Sequence, residues 1–292
     1  MKKIRIVTDS ASDLPADLQS RYNIDVLSFP VIMGDKEYDS VQDFGNEGFY
    51  ELMKQYDDIP KTSQITSFQF MEYYYNYYEQ GYTDLILILI NSQGSATYNN
   101  SLMAVDLLYD EHPECEGKIR IHCFDSGSYC SGYGHVALEA GRMLEEGASA
   151  EEIITYVGDS LPRRKIYFGI YDLKYAGKSG RIQSAAAFVG DKLGIKPIMK
   201  IWDHEILTAA KCRGEKKLVA KICHLVLEDM EPGTPYQIIY GDNPLPRDEM
   251  TEMMVKELGY GPTEYYQIGV VVAANAGPTV AGVSFIAKES WK

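Results

Sequence analysis

The sequence lacks the features that mark several large classes of protein. No stretch of the 292 residues approaches 18 consecutive apolar residues, so we expect no integral membrane segment. The N-terminal run reaches Asp9 quickly and has no signal-peptide core. Basic residues are few: 28 Lys and Arg stand against 42 Asp and Glu, giving a formal net charge of -14. Nucleic acid is therefore not expected as a partner, because binding it requires a basic surface.

Cysteine and histidine are also sparse. The five cysteines are an odd number without a C-x-x-C pair, and the five histidines show no spacing typical of metal ligands. We therefore expect free thiols, no metal site and a cytoplasmic location.

Two glycine-rich segments resemble nucleotide-binding motifs without meeting their requirements. Residues 177–179 end like a phosphate-binding loop, but Asp172 stands where the first glycine is needed. Residues 132–137 fit G-x-G-x-x-A, but residues 125–131 separate them from the preceding predicted strand. We expect no cofactor at either segment.

The hydrophobic pattern predicts an α/β protein with two domains. In the first half, strands alternate with helices, and the apolar run 85–90 is typical of a strand buried on both faces, which indicates a parallel sheet. After Pro162, residues 195–202 and 205–213 predict a hairpin around Asp203-His204 and hence a mixed or antiparallel sheet. The predicted domains are 1–162 and 163–292, and ligand sites favour such an interface.

Two helices carry further predictions. Residues 13–22 predict a helix capped by Ser12 or Asp13, and residues 180–193 predict another. The segment from Asp9 to Asp13 could bind Mg²⁺ or phosphate, since carboxylates at strand ends suit hard cations. We favour the simpler interpretation of a turn with a helix cap.

Two hydroxyl-rich segments are the candidates for a ligand site. Thr62 and Ser63 lie in Lys61-Thr62-Ser63-Gln64, and Ser95 lies in the polar segment after the apolar run. Ligands of open α/β sheets bind beyond the carboxyl ends of the strands, so we expect Ser95 at the mouth of a crevice. Helix capping is the plain alternative for each hydroxyl. A serine nucleophile at Ser95 also stays open, although the sequence has no G-x-S-x-G motif.

Six segments, in order, resemble the DegV family of bacterial fatty-acid-binding proteins. They are 7–15, 61–64 (T-S-Q), 94–98 (similar to L-S-G-T-Y), Asp125-Ser126, 173–182 (similar to L-x-Y-L-x-x-G-G-R-I) and 195–198 (I-K-P-I). Each motif is weak alone, but six in the right order across the chain are specific.

The resemblance implies two domains with a lipid tunnel between them and a long-chain fatty acid, such as palmitate, as ligand. Thr62 and Ser95 would hold its carboxylate. The chain would do no chemistry alone and would present the ligand to a separate ATP-binding subunit of a fatty acid kinase, which forms the acyl-phosphate.

The chain departs from the family pattern near its C-terminus. Where the family commonly has H-T-G-P-G, this chain has Asn275-Ala276-Gly277 followed by Pro278 and Thr279. Ser63, Asn275, Ala276 and Gly277 are expected beside the ligand. Asparagine cannot carry a proton near neutral pH, so a lipid sensor or carrier without a kinase is an alternative function, and a serine hydrolase using Ser95 is another.

Overall fold

The computed structural model describes residues 2–186, 188 and 194–289. Its strands are β1 (Ile4–Asp9), β2 (Asp25–Leu27), β3 (Pro30–Met33), β4 (Lys36–Asp39), β5 (Lys61–Thr62), β6 (Asp84–Leu89), β7 (Arg120–Asp125), β8 (Arg164–Ile170), β9 (Ile195–Trp202), β10 (Glu205–Arg213), β11 (Tyr236–Tyr240), β12 (Glu264–Gln267) and β13 (Val280–Ile286). Its α-helices are α1 (Ala16–Arg21), α2 (Asn46–Met53), α3 (Ser67–Glu79), α4 (Thr97–Glu111), α5 (Ser131–Glu145), α6 (Ala150–Ser160), α7 (Leu173–Ser179), α8 (Gln183–Ala186), α9 (Leu218–Asp229), α10 (Leu245–Leu258) and α11 (Val270–Ala276).

The first sheet is parallel, with strand order β2-β1-β6-β7. Its central strand β6 is buried along its whole length, because α4, α5 and α6 pack against the sheet. The parallel sheet predicted from the apolar run is confirmed. Its carboxyl edge carries the turn that leads from β6 into α4.

A small antiparallel sheet lies beside it, with strand order β4-β3-β5. β3 and β4 form a hairpin around Gly34. The apolar residues 26–33 look like one strand in the sequence but form two, because β2 ends at Leu27 and pairs with β1, whereas β3 joins the small sheet. Strand β5 brings Thr62 opposite Val31.

The third sheet is mixed, with strand order β10-β9-β8-β13-β11-β12, and its only parallel pair is β11 with β12 within the described residues. Asp203 and His204 both have positive φ, as a two-residue hairpin turn requires. The predicted mixed sheet is confirmed. α9 and α10 cover one face, while Ile166, Phe168 and Ile201 on the other face join the core of the first half. We propose residue 162 as the division between domains, since β8 to β13 all follow it.

Two helix predictions are wrong in their limits. α1 begins after Pro15, which makes no side-chain capping bond, and Asp13 instead has the left-handed φ of 51°. Neither Ser12 nor Asp13 caps α1. The helix predicted over 180–193 is interrupted, because Gly180, with φ of 72°, ends α7 and α8 covers only Gln183–Ala186. Residues 187 and 189–193 of that prediction lie outside the described residues.

Candidate functional site

A cavity of about 460 Å³ lies where the two large sheets meet. Its walls are the turn after β6, the inward face of β8 and β9, strand β5, helix α11 and the segment around α8. The volume is within the range of roughly 300–1,000 Å³ found for small-molecule sites. The cavity is therefore large enough to hold an organic ligand.

Polar side chains are concentrated in a few segments of the lining. They are Thr62, Ser63, Gln64, Ser92, Gln93, Ser95, Asn99, Tyr129, Arg181, Gln183 and Asn275. The structure thus brings Thr62, Ser63, Ser95 and Asn275, predicted from sequence segments far apart, to one cavity. Ala276 also lines it.

The turn that carries Ser95 is held by Asn91. The backbone carbonyl of Asn91 accepts the N–H groups of Gly94 and Ser95 at 3.0 and 3.2 Å. Its side-chain amide donates to the His204 carbonyl at 2.7 Å and to the Tyr129 hydroxyl at 3.3 Å. Burial raises the pKa of Tyr129 to about 12, so its hydroxyl keeps its proton at neutral pH. Asn91 therefore ties the turn to the β9–β10 hairpin and fixes where Ser95 stands.

The hydroxyl of Ser95 is arranged as a hydrogen-bond donor. Ser95 Oγ accepts the Thr97 N–H at 3.3 Å and lies 2.9 Å from Thr97 Oγ1. Thr97 Oγ1 is buried and accepts the Ile65 N–H at 3.3 Å. Among the described residues, the acceptor left for the Thr97 hydroxyl proton is Ser95 Oγ. With Thr97 as the donor, Ser95 accepts twice, and its own proton is free for a ligand oxygen in the cavity.

Thr62 and Ser63 face the cavity from the edge of the small sheet. The Ser63 N–H donates to the Pro30 carbonyl at 3.1 Å, which continues the pairing of β5 with β3. Within the part of the chain that the structure describes, neither hydroxyl has a hydrogen-bond partner. Both can therefore donate to a ligand.

Helix α11 supplies the residues at the family's histidine motif. Asn275 lines the cavity, but its Nδ2 already donates to the Val271 carbonyl at 2.9 Å. Gly277 is outside the lining, contrary to the expectation that it adjoins the ligand. It ends α11 with φ of 87°, and a Cβ there would stand 3.0 Å from the Tyr175 ring. Gly277 therefore sets where the helix stops.

Arg181 is a residue of the site to which the sequence reasoning assigned no role. It lines the cavity, and its Nε donates to the Gly94 carbonyl at 3.4 Å, directly before Ser95. The guanidinium also donates to the Ser179 carbonyl at 3.2 Å. The sequence feature that could have pointed to Arg181 is its place in the Gly180-Arg181-Ile182 part of a family motif. Arg181 adds a positive charge next to the hydroxyl donors.

The remainder of the lining is apolar. Its aliphatic and aromatic side chains are Phe29, Ile90, Ile166, Phe168, Ile182, Ile201, Ile206, Ile239, Ile268, Val271, Val272 and Val280. No carboxylate is found among the described lining residues. A ligand with a negatively charged head and a long apolar body matches this division.

Comparison with known proteins identifies the family. The DegV family, described as uncharacterised proteins, matches residues 3–288. The chain belongs to the DegV family. It is 31% identical to a DegV domain-containing protein of Caldanaerobacter subterraneus, over 98% of this chain and 99% of that one. A DegV domain-containing protein of Clostridium acetobutylicum is also 31% identical, over 99% and 100% of the two chains.

Solved DegV structures share the fold. A stearic-acid-binding protein of Eubacterium ventriosum superposes with a TM-score of 0.87, at 24% identity and 99% coverage of both chains. DegV of Bacillus subtilis, described as a fatty acid binding protein, gives a TM-score of 0.82 at 23% identity, over 99% and 100% of the chains. The two-domain α/β fold of DegV proteins is thus the fold of this chain. In the described residues, no helix is both long and apolar enough to cross a membrane.

The serine hydrolase alternative concerns the partners of Ser95. The hydrogen-bond partner of the Ser95 hydroxyl in the described part of the chain is Thr97, not a histidine. His204 Nδ1 instead lies 3.2 Å from Asn91 Oδ1 and 3.5 Å from Asp125 Oδ2. Burial raises the pKa of the Cys130 thiol in the lining, so no thiolate forms there at neutral pH. Ser95 therefore lacks the adjacent base that an activated nucleophile needs among the described residues, and Cys130 keeps its thiol proton.

One group of metal-ligand types lies outside the cavity. Ligand atoms of His135, Glu139 and Glu264 all lie within 4.8 Å of one another. Arg142 pairs with both carboxylates, and His135 Nδ1 lies 3.0 Å from Glu264 Oε2. Arg142 thus offsets one of the two carboxylate charges and contacts both, and the group is an ion-pair network that joins α5 to β12.

Proposed function

We propose that the protein binds a long-chain fatty acid, with its carboxylate at Ser95 and Thr62 and its tail in the apolar part of the cavity. The observation that carries the proposal is the lining itself: hydroxyl donors and Arg181 stand together, branched aliphatic side chains make up the rest, and the described lining has no carboxylate. A fatty acid pairs one anionic group with a long apolar tail, as this lining requires.

The head group would be held chiefly by hydroxyls. Burying a carboxylate without partners is very costly, whereas hydrogen bonds to an ionised acceptor are short and roughly twice as strong as neutral ones. Ser95 has a free proton, and Thr62 is unpartnered among the described residues. Arg181 would add electrostatic attraction from the side of Gly94. Hydroxyl contacts leave carboxylate oxygens more accessible than a bidentate arginine would.

The tail would supply most of the affinity. Each buried methylene contributes about 0.8 kcal/mol, so a tail of about fifteen methylenes offers roughly 12 kcal/mol before the costs of ordering. Solved DegV structures of similar fold are described as binding stearic acid, vaccenic acid and heptadecanoic acid. These ligands support the same class for this chain.

We further propose that the bound acid is presented to the ATP-binding subunit of a fatty acid kinase, in the cytoplasm. The chain would act as a substrate-presenting subunit and not as an enzyme, in keeping with the hydroxyl-based head-group site. Asn275 is the observation that favours the second candidate, a lipid sensor or carrier without a kinase. Its amide is engaged with Val271 and it cannot exchange a proton as histidine does.

Mass spectrometry of lipid extracted from the purified protein tests the binding. A fatty acid in stoichiometric amount, released on denaturation, is the expected result. A protein that carries none and takes up none from added palmitate would contradict it. Mixing the loaded protein with a bacterial fatty acid kinase subunit, ATP and Mg²⁺ then separates the two roles, since only a presenting subunit yields acyl-phosphate.

A further inference from the structure

Three consecutive residues in front of α11 are each bound by a side chain from the first 50 residues of the chain. The bonds are Asn46 Nδ2 to the Gln267 carbonyl at 3.2 Å, the Tyr50 hydroxyl to the Ile268 carbonyl, and the Gly269 N–H to Asp13 Oδ1 at 2.7 Å. We call this set of contacts the 267–269 clamp. It joins the end of the mixed sheet to the half of the molecule that carries Thr62 and Ser95.

Asp13 is the acidic member of the clamp. It does not cap α1, although the sequence suggested that it would. Its backbone is in the left-handed region, with φ of 51°. Two hydrogen-bond donors among the described residues interact with its carboxyl group: the Gly269 N–H, at hydrogen-bond distance from Oδ1, and the buried thiol of Cys130, which opposes the rise in the pKa of Asp13 that burial causes.

Gly269 is shaped to receive that carboxyl group. A Cβ at this position would stand 2.8 Å from Asp13 Oδ1 and 3.4 Å from Asn46 Oδ1. The backbone φ of −87° is ordinary, so the glycine is required by the close approach of Asp13 and not by backbone conformation. The absence of a side chain at Gly269 therefore leaves the space that the Asp13 carboxyl group occupies, although the two residues are 256 positions apart.

The clamp bears directly on the cavity wall. Ile268 lines the cavity, and Val271, Val272 and Asn275 line it from the helix that begins directly after Gly269. A displacement of residues 267–269 would carry this wall with it. Asp13 itself does not line the cavity.

We propose that Asp13 is a positioning residue of the ligand site, which sets α11 opposite Ser95 and Thr62 through its bond to Gly269. The inference rests on the proposed binding of a fatty acid. Asp13 acts without touching the ligand, and its loss misplaces the wall formed by Ile268 and α11.

Three variants separate positioning from general stability. Asp13→Gly removes the acceptor and suits a positive φ, while Asp13→Asn keeps an oxygen acceptor and also tolerates this backbone. Asn23→Gly is the matched control, because Asn23 is exposed and has the same φ of 51°. For the folded proteins, we expect palmitate affinity to fall about three- to tenfold in Asp13→Gly, the loss of one hydrogen bond. The palmitate affinity of Asp13→Asn and of Asn23→Gly should stay within about twofold of the wild-type value.

A double-mutant cycle tests the contact from the other side. Gly269→Ala should lower palmitate affinity in the wild type, since its Cβ meets Asp13, and should have little further effect in Asp13→Gly. Hydrogen exchange of residues 268–276 without ligand should quicken in Asp13→Gly and Gly269→Ala and not in Asn23→Gly.

The outcomes are distinguishable. A wild type that binds no palmitate would overturn the proposed function. A wild type that binds, with affinity and exchange unchanged in Asp13→Gly, would overturn the positioning role alone. Additive effects of Asp13→Gly and Gly269→Ala would also overturn it.

Discussion

Replacing Asp13 by asparagine is expected to stabilise the protein at alkaline pH and to leave its stability nearly unchanged at pH 4. Burial raises the pKa of Asp13 from 3.8 to about 7, although the bond from Gly269 opposes the rise. The folded protein therefore holds this proton more tightly than the unfolded chain does. Between about pH 4 and pH 7 the folded state binds more protons, so the free energy of unfolding falls as the pH rises.

The size of the effect follows from the pKa. A pKa raised by about three corresponds to about 4 kcal/mol of stability, lost progressively up to pH 7 and fully above it. Asparagine does not ionise, keeps an oxygen for the Gly269 N–H and is tolerated at positive φ. The gain in unfolding free energy of Asp13→Asn over the wild type should therefore grow from near zero at pH 4 to about 4 kcal/mol at pH 8.

Urea unfolding of both proteins between pH 4 and pH 8.5 measures this difference. Asp9, whose pKa burial raises to about 6, contributes to the pH dependence of both proteins and largely cancels. Asp17→Asn, an exposed acid in the first turn of α1, is the control and should show no such growth. A difference independent of pH, or an Asp13→Asn protein less stable than the wild type at pH 8, would refute the argument.

Three further results are expected from fluorescent fatty-acid displacement. Ser95→Ala should weaken binding roughly 10- to 100-fold, because it removes a hydrogen bond to a charged group. Ser92→Ala, also in the lining, should change the affinity little. Equal effects of the two substitutions would contradict the head-group assignment. Shortening the ligand by one methylene should weaken binding about fourfold, and a flat series would place the tail outside the cavity. Asn275→His should make binding strengthen as the pH falls below about 6.5, because an imidazolium would then face the carboxylate; an unchanged pH profile would remove Asn275 from the head group.

The parts of the fold that were predictable depend on local pattern. A run of six apolar residues at 85–90 indicates a doubly covered strand wherever it occurs, and β6 is that strand. The hairpin at Asp203-His204 was readable because two strand patterns meet at two turn-compatible residues. The limits of the helices were less predictable. A glycine such as Gly180 can lie inside a helix or end it, and its positive φ in the structure shows that it ends α7.

The role of Asp13 was not readable because its partner is 256 residues away. An acid in a turn before a helix can bond to any unfilled N–H group, and the sequence displays only the near ones. The capping prediction chose the local N–H groups of α1. The folded chain offers the Gly269 N–H instead, and the Asp13 carboxyl group accepts it. A glycine without a turn or a positive φ, such as Gly269, is the sequence signal that a distant side chain approaches closely.

Capping and ligand binding were opposed as explanations of Ser95, yet the hydroxyl can serve both. Its oxygen accepts the N–H of Thr97, the first residue of α4, and is placed to accept the Thr97 hydroxyl as well. These bonds use the lone pairs and fix the oxygen, while the proton is not used by the helix. A hydroxyl that accepts two hydrogen bonds is also polarised as a donor. The same contacts that hold the start of α4 therefore prepare Ser95 to bind a carboxylate, and a local motif of this kind favours both interpretations at once.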